Sequence, residues 1–562
     1  MMLTELPPEL LDAVIEQRIS QGCSQYTKEF GFELLVNLDP PAYFRKPGCP
    51  HHFHGFDRNS DPFLKFNQTL DLMRFPDNQL QSFRWDLATC LPSIILCNKD
   101  SFLGNQGNLR SISLITDGGC VEDTPSLVDR DLVQLKKLQS LRWVGLNQYL
   151  DFESVSAFIK AYGHQLKSLT LDLLDGFGEE MWTRGFLPHG QTSEREKIPI
   201  NFFAERVINV NPGDRRLVFD SLENLDLTAV WCFYGMGYEL IHAFNIENLK
   251  SLRLRRCPGS LRWLRKILKS GKSMSLKSFE FSSHTQSEEL LHELKYLGGD
   301  KLNKITEVIS GIIHHNVDLE SIHLMLPSGI DWATLADTLL VSGHHRLVDI
   351  VMHPLHIASN PMSRLMVGSG HIVDDILSWE GSSLKSLVQG SRLTCFGSTA
   401  IPRDLTHHFQ KMEPRPSFKV LHLRVSEVLL SYGPSSFDWH SRYKNIQDHA
   451  GYFSMKFIKS MSDLLGEEND FDEDFQVDFR DDPNEIFSFA KWAFGVDGLP
   501  NLQVIAGGDF AYQGRYSTVN IMLCRADNAY GYEVLTPTSE VFQGYLQENM
   551  EMLGACPWRD IM

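Results

Sequence analysis

The sequence predicts an α/β chain built as an irregular solenoid, with a parallel inner sheet and helices outside it. Three observations carry this: a recurring six-residue phrase, its spacing, and glycine-ended helical stretches between the copies. The phrase is apolar at its first, fourth and sixth places. It reads LKSLTL from Leu166, LENLDL from Leu222, LKSLRL from Leu249, LKSFEF from Leu276 and LESIHL from Leu319. Poorer copies begin at Leu80, Leu109, Leu138, Leu347, Leu384, Phe418 and Leu502. The starts at 80, 109, 138 and 166 lie 29, 29 and 28 residues apart, and 56 residues, twice 28, separate 166 from 222. A period near 28 means stacked units.

The phrase itself predicts a strand. In LKSLRL, Leu252 and Leu254 alternate with Ser251, Arg253 and Arg255, so an extended backbone sends the leucines to a core and the others to a free side. The stretches between phrases predict helices. Val155, Phe158, Ile159 and Tyr162 precede Gly163; Leu290, Leu291, Leu294 and Leu297 precede Gly298; Trp332, Leu335, Leu339 and Leu340 precede Gly343, all at helical spacing. A glycine supplies a left-handed cap. Gly163, Gly271, Gly343 and Gly381 stand just ahead of the next phrase, so helix, cap, turn and strand recur in that order as a right-handed coil. The intervals of 43, 37 and 34 residues that follow Leu276, Leu347 and Leu384 exceed the period, and the 84 after Phe418 equal three periods with two phrases unreadable. There, loops are inserted or rungs have decayed.

The phrase and its period resemble the leucine-rich repeat family in its longer strand-plus-helix form, over roughly residues 76–530. That family places asparagine or cysteine after the third apolar position, and Cys257 is the clearest match. The resemblance implies a curved solenoid whose concave sheet is the working surface. One residue per rung would project there: Arg84, Ser113, Arg142, Thr170, Asp226, Arg253, Glu280, His323, Val351 and His422. Of these, Asp226, Arg253, Glu280 and His323, together with Arg255, are the candidate target-binding residues. Two guanidinium groups on a rigid strand can take a carboxylate or a phosphate by paired hydrogen bonds, so the expected target is an acidic or phosphorylated protein segment.

Charge is unevenly spread. The formal net charge of −18 argues against general nucleic-acid binding, which rests on neutralising phosphates. Yet Lys250 to Lys277 carries ten basic residues and no acidic one, with Arg253 and Arg255 on the strand and Arg262, Arg265, Lys266 and Lys269 on the following helix. Glu467 to Glu485 carries ten acids against Arg480 alone and reads as an exposed loop able to fold across the basic patch. No apolar run reaches the length of a membrane span, and the N-terminus lacks a signal-peptide layout, so a soluble cytoplasmic or nuclear protein is expected. Ten scattered cysteines without a CxxC pair fit reduced core thiols.

The start of the chain carries a second resemblance. Leu6-Pro7-Pro8-Glu9-Leu10-Leu11 followed by Val14 and Ile15 is similar to the opening of an F-box, the helical module that docks on the Skp-type adaptor of cullin-based ubiquitin ligases. The prolines suit a first helical turn, Thr4 offers a cap, and Leu10, Leu11, Val14 and Ile15 form an apolar stripe. The resemblance implies adaptor binding through Leu6, Pro7, Leu10, Leu11 and Val14. A cap for the repeat array is the other reading of residues 1–20. Residues 21–75 read as an irregular Gly/Pro/His-containing segment, and 531–562 as a C-terminal cap or tail.

Catalytic and metal signals are weak. Cys49, His51, His52 and His54 are too closely spaced to wrap one tetrahedral ion, and His314-His315, His344-His345 and His407-His408 read as solvated loop histidines. Gly368-Ser369-Gly370 is not a nucleophile elbow. A binding protein without cofactor or metal is expected: a ubiquitin-ligase substrate-recognition subunit, or alternatively a scaffold unrelated to ubiquitin.

Overall fold

The structure is a computed structural model. It describes residues 29–33, 77–86, 93–96, 102–116, 132–146, 149–172, 203–230, 237–283, 301–327, 330–355, 383–390, 392–400, 402–424, 483–508, 510–511, 520–535 and 539–557. The chain is α/β and divides into two compact units, Met1–Leu276 (with Met562) and Lys277–Ile561.

In the first unit the strands are β1 (Glu29–Glu33), β2 (Ser82–Asp86), β3 (Ser111–Ile115), β4 (Ser140–Val144), β5 (Ser168–Asp172), β6 (Asn224–Thr228) and β7 (Ser251–Arg255). Each pairs with the next in parallel. From β2 onward every strand begins two residues into a phrase. The phrase leucines Leu80, Leu109, Leu138, Leu166, Leu222 and Leu249 are fully buried, as are the second and fourth residues of each strand, among them Leu225, Leu227, Leu252 and Leu254. The alternation therefore works as elementary strand geometry requires. Just ahead of the strands a short turn recurs: the amides of Leu109, Leu138, Leu166 and Leu249 donate to the carbonyls of Gln106, Leu135, Gly163 and Ile246 at 2.9–3.3 Å.

Helices α1 (Ser93–Leu96), α2 (Tyr149–Tyr162), α3 (Gly237–Ala243) and α4 (Ser260–Ser270) lie between strands. Gly271 ends α4 with φ +70°, the expected left-handed cap. Gly163 does not have that role. It sits in a 3-10 turn, and a Cβ there would approach the Val218 carbonyl oxygen and side chain to 3.2 Å, so closeness selects glycine at that place. One other expectation needs correction, and one interval is explained. β1 lies in a segment read as irregular. The doubled interval between Leu166 and Leu222 hides no rung, because β5 pairs directly with β6.

In the second unit the parallel strands are β8 (Ser278–Ser282), β9 (Ser321–Pro327), β10 (Asp349–Leu355), β11 (Cys395–Ser398), β12 (Val420–Leu423) and β13 (Val504–Gly507). β14 (Ile521–Arg525) and β15 (Tyr532–Leu535) continue antiparallel. Helices α5 (Lys301–His315), α6 (Trp332–Val341), α7 (Ser383–Gly390), α8 (Pro402–Gln410) and α9 (Pro483–Ala493) connect the parallel strands. The phrase at Leu384 is helical, lying in α7, where Leu387 and Val388 are buried; the strand at this rung is β11, and the Thr394 amide donates to Val348 across the ladder. β12 pairs directly with β13, so the 84-residue interval does not contribute a pair of lost rungs between them. The chain then forms α10 (Glu540–Glu548) and α11 (Met550–Leu553), and α11 packs on β10 and β11. Among the described residues no helix is long and apolar enough to cross a membrane.

Candidate binding faces

Opposite the leucine core, the first unit presents two rows of side chains in strand register. Ser82, Ser111, Ser140, Ser168, Asn224 and Ser251 form one, and Arg84, Ser113, Arg142, Thr170, Asp226 and Arg253 the other. The second row is half-buried throughout. Arg142 Nη1 donates to Ser113 Oγ at 3.1 Å. Asp226 Oδ2 lies 4.0 Å from Arg253 Nη1 and 3.9 Å from Arg255 Nη1, so three of the five predicted target residues come together on β6 and β7. Those separations are ion pairs, longer than hydrogen bonds. The three side chains together are net positive.

Behind this face the Cys257 thiol donates to the Leu227 carbonyl of the neighbouring strand at 3.2 Å and to the Arg255 carbonyl at 3.4 Å. Burial pushes the thiol up to about 12, so it stays protonated and able to donate. The basic residues of α4 lie apart from the strand rows. Arg262, Arg265 and Lys266 are half-buried and Lys269 exposed, and the Lys266 ammonium sits 4.4 Å above the centre of the Tyr238 ring. Arg256, between strand and helix, is buried.

The equivalent face of the second unit is covered. Glu280 and His323, predicted to be open to a target, are fully buried, as are Val351 and His422. Every residue of β8 and β9 is buried, because the sheet carries material on both sides. What covers it includes the end of the chain. Glu280 Oε1 accepts the Cys556 amide at 2.6 Å. Arg424 Nη2 donates to the Ala555 carbonyl at 2.9 Å, and Nη1 donates to the Cys556 carbonyl. Ser278 Oγ donates to Glu551 Oε1 at 2.9 Å, and the Cys395 thiol donates to Asn549 Oδ1 at 3.7 Å. Around these bonds Met325, Val351, Cys395 and Val420 join Met552, Leu553, Ala555 and Cys556 in one apolar cluster.

This face also holds His353, buried, with its ring centre 5.9 Å from that of His422, whose Nε2 meets the Gly508 carbonyl at 2.8 Å. Burial, with the positive charge of Arg424 and the neighbouring His422 and His323, holds His353 well below the usual histidine range. Sequence reasoning missed His353 and Arg424. Both sit two residues beyond a mid-strand position and so share its side, a signal the alternation does contain.

Leu6, Pro7, Leu10, Leu11 and Val14 lie outside the described residues, as do Cys49, His51, His52 and His54. So does residue range 467–482, while Pro483, Asn484 and Glu485 open α9 instead of belonging to a loop. The histidine pairs also differ from expectation. His314-His315 end α5 and His407-His408 lie in α8; His344 is buried, which lowers its pKa, while His345 is exposed. Among the described residues no group of three or more His, Cys, Asp or Glu could hold a metal ion. The chain matches no model of a known protein family and no curated protein.

Proposed function

We propose that this chain is a binding protein of the leucine-rich-repeat kind, not an enzyme, and that it takes a protein segment on the strand face of the first unit. The row from Arg84 to Arg253 carries the reading: six polar or charged side chains in register on adjacent strands, backed by an apolar core. Backbone pairing fixes these side chains at their roots, so a partner meets them with little ordering cost. The Asp226, Arg253 and Arg255 group suits an acidic or phosphorylated segment. On the resemblance of residues 6–15 to an F-box opening, the chain would be a substrate-recognition subunit, with Leu6, Pro7, Leu10, Leu11 and Val14 on a Skp-type adaptor.

Two double substitutions separate these claims. Leu10→Asp with Val14→Asp should abolish co-purification with the adaptor and leave the melting temperature unchanged, because an unpaired carboxylate is costly in an apolar groove. Failure of the parent chain to bind the adaptor removes the ubiquitin reading, and a lowered melting temperature makes the segment a cap. Arg253→Glu with Arg255→Glu should weaken capture of phosphorylated or acidic peptides at low salt; unchanged capture places recognition elsewhere.

A further inference from the structure

The covered face of the second unit is chemically unlike a permanent core. A face buried once and for all is well served by apolar side chains, and replacing buried charges with such residues is often neutral or stabilising. Here Glu280, His323, His353, His422 and Arg424 are all buried on this face, and Glu280 and Arg424 are bonded to Ala555 and Cys556. Both ring nitrogens of His353 lack a hydrogen-bond partner among the described residues, a cost that water would relieve on an open sheet. The two buried charges hold main chain. One carboxylate takes the N–H of Cys556, and one guanidinium takes the carbonyls of Ala555 and Cys556. Every peptide carries those groups, so they grip a backbone, while Met552, Leu553 and Cys556 supply the side-chain fit.

We propose that the strand face of the second unit is a peptide-binding site, and that residues 549–557 are its intramolecular occupant. A partner peptide with two adjacent large apolar residues, followed two and three places later by small ones, competes for the same face. Glu280 and Arg424 clamp its main chain. In the uncut chain the tethered segment holds the face at a high effective concentration, which for short flexible tethers is on the order of millimolar.

The test uses the full chain with Met552→Asp and Leu553→Asp, which expels the segment while leaving the face intact, and a fluorescent synthetic peptide of native residues 549–557 as probe. The probe should bind this variant saturably and bind the parent chain at least about tenfold more weakly, since there it must displace the tethered copy. Adding Glu280→Gln should cost about tenfold or more in affinity, as should an ester in place of the Cys556 amide in the probe. The two changes together should cost little more than either alone. A folded variant that ignores the probe overturns the proposal, and so does binding indifferent to Glu280→Gln. If the variant does not fold, a protease site between Leu535 and Ser539 of the parent chain replaces it. After cleavage, exchange of the released fragment for a labelled peptide of residues 539–557 supports a binding site. A fragment that never exchanges is core, and the proposal falls.

Discussion

Acid should destabilise this protein through His353, by an amount the structure sets. An ordinary histidine takes up a proton near pH 6.5, as His353 does in the unfolded chain. In the folded chain the ring is buried beside Arg424, His422 and His323 and its pKa is depressed well below that value. On the same face Glu280 accepts the Cys556 amide, and Glu551 of the covering segment accepts from Ser278 Oγ. Below pH 6.5 the unfolded state therefore binds one more proton than the folded state. Stability from this group is fully present above that pH and declines as pH falls, at up to about 1.4 kcal/mol per pH unit until the folded pKa is reached. Urea unfolding of the second unit at pH 7.5, 6.5 and 5.5 measures the slope. His353→Phe removes the titration but keeps a ring, so its slope should be shallower by that amount even if its absolute stability differs. His344, also depressed by burial, titrates in both proteins and cancels in the comparison. Equal slopes in parent and variant, or stability that rises on acidification, would refute the argument.

Two further outcomes test the first unit. Leu254→Ala removes a fully buried side chain whose in-register neighbour is Leu227, and should cost about 2–5 kcal/mol by thermal or chemical unfolding; a loss under about 1 kcal/mol means that the strand register is misassigned. Cys257, with its thiol raised to about 12, should stay unalkylated by iodoacetamide at pH 8 in the native state and react once the chain is unfolded, as peptide-level mass spectrometry can follow; prompt native labelling would show that the Leu227 hydrogen bond is not formed.

The strands were legible because one local rule, apolar residues at alternate places after a leucine, decides both register and core. The rule failed at Leu384. Leu384, Leu387 and Val388 also satisfy helical spacing, and Gln389 stands where the phrase needs an apolar third position. The true strand there, Cys395–Ser398, was hidden because its third position is the buried Ser398. The Asp226, Arg253 and Arg255 group was found from alternation alone, since its members sit on adjacent strands. The covered face could not be found in that way: Cys556 is 276 residues from Glu280, and no local period reports such a contact. A trace of it does exist in the sequence. The mid-strand column is polar at Arg84, Ser113, Arg142, Thr170, Asp226, Arg253 and Glu280, then turns to His323, Val351, Gly397, His422 and Ala506, of which Val351, Gly397 and Ala506 suit contact with protein better than with water.

The direct pairing of β12 with β13 separates two quantities that are usually tied together, the spacing of the ladder and the length of chain that feeds it. Between Leu423 and Val504 there are 80 residues, against 24 between Ile115 and Ser140, yet both pairs of strands meet as immediate neighbours. Closure entropy grows only with the logarithm of length, so the longer connection costs about 1 kcal/mol more than the shorter one. Sequence can therefore be added at such a junction almost independently of the sheet. The connections between paired strands are places where new segments can be acquired, lengthened or exchanged while the hydrogen-bonded frame stays as it is.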